Sequence, residues 1–259
     1  MSNSPLATYR LISPNRTSPR NHEIDTITIH CFVGQVTAER GCEVFQPSSK
    51  QASCNYVVGY DGSIGLCVEE KDRSWCSGGK DEKGNVIRVN GISGADNDHR
   101  AITIEVASDS TEPYAVTGRA YDALIQLVAD ICKRNGIKRL LWQGTKNLVG
   151  DVRRQNMTVH RWFALKSCPG DYLYERHGDI AKKVNNILEE DLDMTKDELL
   201  SCDGTGDNPS DWAKEGTEFC KEHGIFAGDG NGNYGWQQPI TREAVACVIQ
   251  RALEAAKEM

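Results

Sequence analysis

Two short alternating stretches decide the fold: IDTITIH at residues 24–30 and AITIEV at residues 101–106. In both, apolar side chains at every second position alternate with polar ones, the period of a strand with one buried face and one polar face. His30 ends the first strand on its polar face, and Glu105 lies on the polar face of the second. Strands of this kind, interleaved with helical patterns, predict an α/β domain built on one central sheet.

A hairpin and two helices complete the predicted domain. The dipeptide Asp61-Gly62 separates the apolar runs NYVVGY and SIGLCV, a strong signal for a two-residue hairpin. Thr117 precedes apolar positions at helical spacing that end near Gly136, and a closing helix is expected at about residues 179–188. The Gly- and Asp-rich residues 77–100 predict a long surface loop, and the first twenty-odd residues an extended segment without regular structure.

Composition excludes several classes of protein. The 259 residues are 39% hydrophobic and 26% charged, which is enough to bury a core and argues against wholesale disorder. No apolar run approaches the ~20 residues of a membrane helix, and the net charge of −7 argues against a nucleic-acid-binding protein. No apolar signal region is visible near the start, so we expect synthesis in the cytoplasm without a signal peptide.

The ten cysteines do not form a recognisable framework. No CxxC pair occurs, which disfavours ribbon-type zinc sites and thioredoxin-like redox motifs. Their even number is compatible with disulfides, but the absence of a visible signal region favours buried or free thiols. Cys31 beside His30 suggests a cysteine nucleophile, yet strand alternation places Cys31 on the opposite face from His30.

Polar residues at strand ends supply the elements of a catalytic metal site. A catalytic zinc needs three protein ligands and an open fourth position. His30, His160 at the end of a short strand expected at 156–160, and Cys168 eight residues later can supply that triplet. From spacing alone, a purely structural role for these histidines stays open.

Five motifs, in order, resemble the type-2 N-acetylmuramoyl-L-alanine amidase family, the zinc amidase fold shared by phage endolysins, bacterial autolysins and peptidoglycan recognition proteins. The resemblance covers roughly residues 22–188 and implies a central mixed β-sheet flanked by helices. The motifs are Thr26–His30, Ser53–Val58 with Asp61-Gly62, Ser74–Ser77, Ile102–Glu105, and Val159–Trp162 through Lys166–Gly170.

The resemblance implies one zinc per chain, held by His30, His160 and Cys168. It places the family's strand glutamate at Glu105, expected to move the proton of the attacking water, and its lysine at Lys166, whose charge suits the developing oxyanion. The implied reaction is hydrolysis of the amide between the lactyl group of MurNAc and L-alanine in peptidoglycan.

Two positions depart from the family pattern, and they leave the substrate groove less defined than the metal ligands. Cys54 stands where some phage members have a catalytic tyrosine, and Cys76 where many members have a histidine. The expected substrate contacts are Asn55, Trp75, Asn97 and Arg161, with core packing as the alternative for Trp75. The remaining histidines are interpreted as structural or surface residues: His22, His99, His177 and His223.

The C-terminal part has a different composition. Residues 189–208 are acidic and Gly/Asp-rich and predict a linker, with a short helix at 195–200, after a catalytic domain at 1–188. Residues 209–259 carry helical patterns at 212–222 and 241–256 and resemble a single S-layer homology repeat, a unit that holds proteins to secondary cell-wall polymers. The segment 229–240 also resembles a calcium-binding loop, but Tyr234 and Ile240 occupy positions where that loop needs Gly and Glu.

The C-terminal resemblance makes Trp212 and Arg242 the expected wall contacts, although a salt bridge is an equal alternative for Arg242. A single repeat leaves two readings open, weak wall binding or association of chains into a homo-oligomer. The sequence thus predicts a two-domain lytic enzyme of the endolysin type that acts on the wall after release, with no nucleic-acid or membrane partner. The alternatives are a recognition protein that does not cut peptidoglycan and a cytoplasmic amidase that recycles muropeptides.

Overall fold

A six-stranded sheet organises the first part of the chain. The structure is a computed structural model that describes residues 2–190, 209, 211–228, 234–236 and 240–258. The sheet strands, in chain order, are β1 (Tyr9–Arg10), β3 (Thr26–Cys31), β4 (Tyr56–Val58), β5 (Ile64–Leu66), β9 (Ala101–Val106) and β10 (Met157–Thr158). Two minor pairs are formed by β2 (Arg16–Thr17) with β6 (Arg73–Ser74) and by β7 (Arg88–Val89) with β8 (Ile92–Ser93).

The sheet is mixed, with the strand order β1-β5-β4-β9-β3-β10. Strand β9 runs parallel to both β3 and β4, whereas β4 and β5 form the antiparallel hairpin predicted around Asp61-Gly62. Helices α1 (Ala38–Val44), α2 (Gly94–Arg100), α3 (Gly118–Arg134) and α4 (Gly170–Glu190) flank it. The predicted fold class, a central mixed sheet flanked by helices, is confirmed.

The two faces of the sheet have different chemistry. Ile27 and Ile29 of β3, with Ile102 and Ile104 of β9, are fully buried in one apolar core that includes α3 and α4. Because side chains alternate along a strand, the residues between them point to the opposite face. That face carries polar groups, and the amide of Asn97 in α2 bonds the hydroxyls of β3 and β10 there.

The helix ends agree with the sequence in one case and differ in others. Thr117 caps α3 by accepting a hydrogen bond from the backbone of Ala120, and Gly136 follows the helix with a φ of 71°. Helix α4 begins at Gly170, nine residues before the predicted start, because Leu173 and His177 continue its buried side.

Helices α1 and α2 are absent from the sequence prediction, which placed α2 in a surface loop. Helix α2 begins with a capping box, in which the side chains of Ser93 and Asp96 each accept a hydrogen bond from the backbone N–H of the other residue. In α1, the Thr37 side chain accepts a hydrogen bond from the backbone of Arg40. Both helices have only seven residues, too short for a helical period to stand out from the sequence.

Residues 191–259 form a second compact unit, distinct from residues 1–190. It contains α5 (Lys214–Glu222) and α6 (Arg242–Glu258), close to the two helices predicted there. The predicted linker beyond residue 190, its helix at 195–200 and the segment 229–233 lie outside the described residues. No helix in the described part of the chain has the length and hydropathy to cross a membrane.

The cysteines in the described ranges are free thiols, most of them buried. Cys42 of α1 and Cys67 just after β5 have their sulfur atoms 2.9 Å apart. Their environment follows the expectation that these residues serve mainly as small buried side chains.

Candidate active site

His30 and Glu105 are direct partners across two parallel strands. Strands β3 and β9 pair in register, so that these two residues lie side by side on the polar face of the sheet. His30 is fully buried, and the adjacent Cys31 packs into the apolar core on the other face, as alternation predicts. The Cys31 thiol nevertheless interacts with the Cys168 thiol through a hydrogen bond, which lowers the pKa of Cys31.

His160 and Cys168 reach the same point from the segment between β10 and α4. His160 lies in the 3₁₀ turn His160–Trp162, and Cys168 immediately precedes Pro169 and the start of α4. The Cys168 sulfur is 3.4 Å from Nδ1 of His30, and the two imidazole rings are 5.0 Å apart. Donor atoms of His30, His160 and Cys168 all lie within 4.8 Å of one another.

The donor atoms of this cluster suit a metal ion. Burial holds the pKa of His30 well below its ordinary value and lowers that of His160 to about 4, so both rings are neutral near pH 7. A hydrogen bond joins His160 to the backbone of Gly78, whereas its Nε2 is buried without a partner. Two imidazoles and one cysteine sulfur form a donor set that zinc accepts, so these three residues fit a zinc ion.

Glu105 lies next to this cluster with an unused oxygen. Its Oε1 lies 3.8 Å from the Cys76 sulfur, and its Oε2 is buried without a hydrogen bond. Burial raises the pKa of Glu105 to about 8, a value at which the carboxyl can both accept and release a proton near neutral pH. Cys76 and Glu105 also form a second donor group with His30, and the sequence noted Cys76 only as a departure from the family pattern.

Three other predicted residues lie around the site. Lys166 is exposed, and its charge contributes to the lowered pKa of His160. Arg161 is partly buried and fixed by the Ser167 carbonyl and the Asp171 carboxylate. Trp75 is half-buried, and its indole N–H donates to the Thr17 hydroxyl, so part of its surface stays accessible.

The two predicted asparagine contacts lie in the interior instead. Asn55 is fully buried, and its amide bonds the backbone of Val68 and Thr103. Asn97 is 2% exposed, and its amide bridges the hydroxyls of Thr28 and Thr158. This placement corrects the expectation of substrate contact, because the polar atoms of both side chains are occupied within the protein.

Sequence reasoning missed Ser77 and Asp98, which lie directly behind the cluster. The Ser77 hydroxyl is 3.4 Å from Nε2 of His30, and the Asp98 carboxylate accepts the backbone N–H groups of Cys76 and Ser77. Ser77 ends one of the resembling motifs, but Asp98 lies in the segment predicted as a loop. A capping box beginning at Ser93 was the available signal that this segment is helical.

Trp212 and Arg242 belong to the second unit. Trp212 is 90% exposed in a 3₁₀ turn before α5, and Arg242 is exposed at the start of α6. Both are accessible to a ligand, and no described salt bridge involves Arg242, the alternative that the sequence left open.

Comparisons with known proteins extend this description. Similar solved structures include a mutant endolysin from Bacillus subtilis (15% identity, 68% of this chain and 97% of that chain, TM-score 0.45). They also include the N-acetylmuramoyl-L-alanine amidase LysC from Clostridium intestinale (15%, 68% and 96%, 0.42) and a selenomethionine derivative of AmpD (17%, 68% and 94%, 0.46). A comparison with curated proteins finds no match.

The family profile described as N-acetylmuramoyl-L-alanine amidase matches residues 20–171, more than half of the chain. That range contains His30, Glu105, His160 and Cys168, the residues that meet on the polar face of the sheet. The chain therefore belongs to the N-acetylmuramoyl-L-alanine amidase family and is a hydrolase whose substrate is peptidoglycan.

Proposed function

We propose that the enzyme is a zinc amidase of the endolysin type, in which His30, His160 and Cys168 hold one zinc ion. The observation that carries the proposal is the convergence of these three donors beside Glu105, although they come from separate parts of the chain. When bound, zinc would polarise the amide carbonyl and lower the pKa of a water molecule at its open position.

The chain's own residues supply the proton chemistry and the charge. In its ionised form, Glu105 takes the proton of the attacking water on its free Oε2 and passes it to the nitrogen of the leaving L-alanine, since a pKa of about 8 allows the carboxyl to release that proton again near neutral pH. Lys166 is exposed, and its proposed role is to stabilise the amide oxygen with its positive charge as that oxygen becomes negative. Trp75 and Arg161 remain the proposed contacts for the sugar or the stem peptide.

The C-terminal unit is proposed as an S-layer-homology-like wall-binding module at residues 209–259, joined to a catalytic domain at 1–188 through a linker at 189–208. Trp212 and Arg242 are its proposed contacts with a secondary cell-wall polymer, since an exposed indole and a cation suit an anionic glycan. Accumulation in the cytoplasm and action on the wall after host lysis belong to the same proposal.

Association of chains is the second proposed role of this module. Helix α6 has half-buried apolar residues at 244, 248, 252 and 255 and, beside them, exposed ones at 245, 249 and 253. Its apolar arc is therefore wider than a single packing contact needs. The exposed part could be covered by a second copy of the chain.

Digestion of purified peptidoglycan tests the activity. The expected result is the appearance of new L-alanine amino groups without new reducing sugar ends, and loss of the reaction after chelation with recovery on adding zinc. Glu105→Gln and Lys166→Ala should each remove most of the turnover while the zinc content stays at one per chain. Glu112→Gln, an exposed carboxylate replacement, serves as the control. Full activity in the Glu105 variant would contradict its role.

A further inference from the structure

A line of hydrogen-bonding groups extends from His30 on the side away from Cys168. It consists of His30, Ser77 and Asp98. Nδ1 of His30 faces the Cys168 sulfur at 3.4 Å, and Nε2 of the same ring faces the Ser77 hydroxyl at 3.4 Å. Ser77 is fully buried, and its backbone N–H donates to Oδ2 of Asp98 at 2.9 Å. The Ser77 side chain also hydrogen-bonds the Asp98 carboxylate in the sense that lowers the pKa of Asp98, with the hydroxyl as donor.

The direction of these hydrogen bonds follows from the chemistry of each group. Burial raises the pKa of Asp98 to about 6, so the carboxylate is ionised at neutral pH and can only accept hydrogen bonds. A serine hydroxyl has a single hydrogen, which is donated to Asp98. The Ser77 oxygen then offers only lone pairs to the ring, and Nε2 of His30 must carry the ring proton.

We propose that Ser77 and Asp98 are positioning residues that fix His30 in the Nε2–H tautomer, leaving the Nδ1 lone pair directed at the metal position beside Cys168. A neutral imidazole carries one ring proton, so protonation at Nε2 and an unprotonated Nδ1 are the same statement. Partners of this kind on the far nitrogen set the orientation and basicity of a histidine ligand. The tautomer of His30 exists without metal. Only its effect on zinc binding rests on the proposed metal site.

Asp98 also ties Ser77 to helix α2. Its Oδ2 holds the backbone N–H groups of both Cys76 and Ser77, and it lies in α2, whose start is fixed by a capping box. Asn97, the preceding residue, ties the same helix to the strands that lead to His30 and His160. Through these bonds, helix α2 holds in place the strands that lead to His30 and His160.

The test uses the full-length chain with ¹⁵N-labelled histidine and three variants. Ser77→Ala removes the acceptor for Nε2–H. Asp98→Asn keeps an oxygen for the two backbone N–H groups, but its NH₂ can donate to Ser77 and turn the hydroxyl toward the ring. Ser74→Ala is the matched control, because Ser74 is equally buried but shares its hydroxyl with Thr103 instead of His30.

In the metal-free wild type, the nitrogen spectrum of His30 should show the Nε2–H tautomer. Ser77→Ala should give a mixture of tautomers, and Asp98→Asn should shift the ring toward Nδ1–H. Zinc affinity, measured by competition with a chelator, should fall about 10- to 100-fold in both, and in Ser74→Ala it should match the wild type. If Ser77→Ala does not fold, the tautomer shift in Asp98→Asn still tests the direction of the hydrogen bonds from His30 through Ser77 to Asp98.

Two results would overturn the inference: an Nδ1–H ring in the wild type, or Ser77→Ala and Asp98→Asn that both keep the wild-type tautomer and zinc affinity. The metal centre fails separately. A wild-type chain with the Nε2–H tautomer that binds no zinc would support the positioning role of Ser77 and Asp98 and refute the proposed zinc site.

Discussion

The two units of this chain use apolar residues in opposite ways. In residues 2–190, helices α3 and α4 turn their apolar sides to one face of the sheet, where Leu124 and Val184 are fully buried. In the second unit, Ile225 is the one described hydrophobic residue that is buried, and Ile249 and Leu253 are 54% and 61% exposed. The first unit therefore has its own core, whereas the described part of the second leaves much of its apolar surface exposed.

The same substitution should have very different effects on stability in the two units. Leu124→Ala should lower the free energy of unfolding by about 2–5 kcal/mol, because it opens a cavity in a filled core. Leu253→Ala should change it by less than about 0.5 kcal/mol, because the side chain is mostly in water. Chemical denaturation of the full-length variants measures both, and equal losses would show that α6 is packed more tightly than described.

His177 should make the stability of the first unit sensitive to acid. It is fully buried against Trp142, and burial lowers its pKa to about 4. Because the unfolded value is near 6.5, this contribution to stability is complete above about pH 6.5 and is lost as the pH falls toward 4. The loss is of the order of 3 kcal/mol.

His177→Asn tests that assignment, since the amide can replace Nδ1 in its hydrogen bond to the Leu173 carbonyl. The variant should be less stable than the wild type near neutral pH, and the difference should shrink as the pH falls, measured by denaturation at a series of pH values. A constant difference across that range would mean that His177 is not the titrating group.

Asn97→Ala separates a structural role from substrate contact. Removal of the amide that bridges Thr28 and Thr158 should cost about 1–3 kcal/mol of stability. The KM for peptidoglycan fragments should stay at the wild-type value, measured on folded enzyme well below its melting temperature. A raised KM with unchanged stability would restore the sequence-based expectation of substrate contact.

Ile249→Glu in the second unit should have the smallest effect on stability and the clearest effect on association. A charge in the exposed stripe opposes contact between apolar helices, so any self-association should shift toward the monomer in sedimentation analysis. Glu254→Gln, on the polar side of the same helix, is the control. Identical profiles that remain oligomeric in both would exclude this stripe as the contact.

The sequence predicted the strands of the sheet better than the surroundings of the candidate active site. The strand alternation around His30 and Glu105 placed both on one face, and their pairing in register bears this out. The positions of Asn55 and Asn97 were not predictable in this way, because a polar residue near a site has the same sequence appearance whether it faces substrate or bonds strands together. Helix α2 was missed since seven residues are too few for a periodic pattern, and Asp98 was missed with it.

Zinc content and wall hydrolysis, measured together in the wild type and in Cys168→Ser, test the proposed metal site. We expect one zinc per chain and release of L-alanine amino groups from peptidoglycan in the wild type, with both strongly reduced in the variant. A wild-type chain that hydrolyses the wall with no bound zinc, or a Cys168→Ser chain that keeps full zinc and full activity, would contradict the assignment of His30, His160 and Cys168.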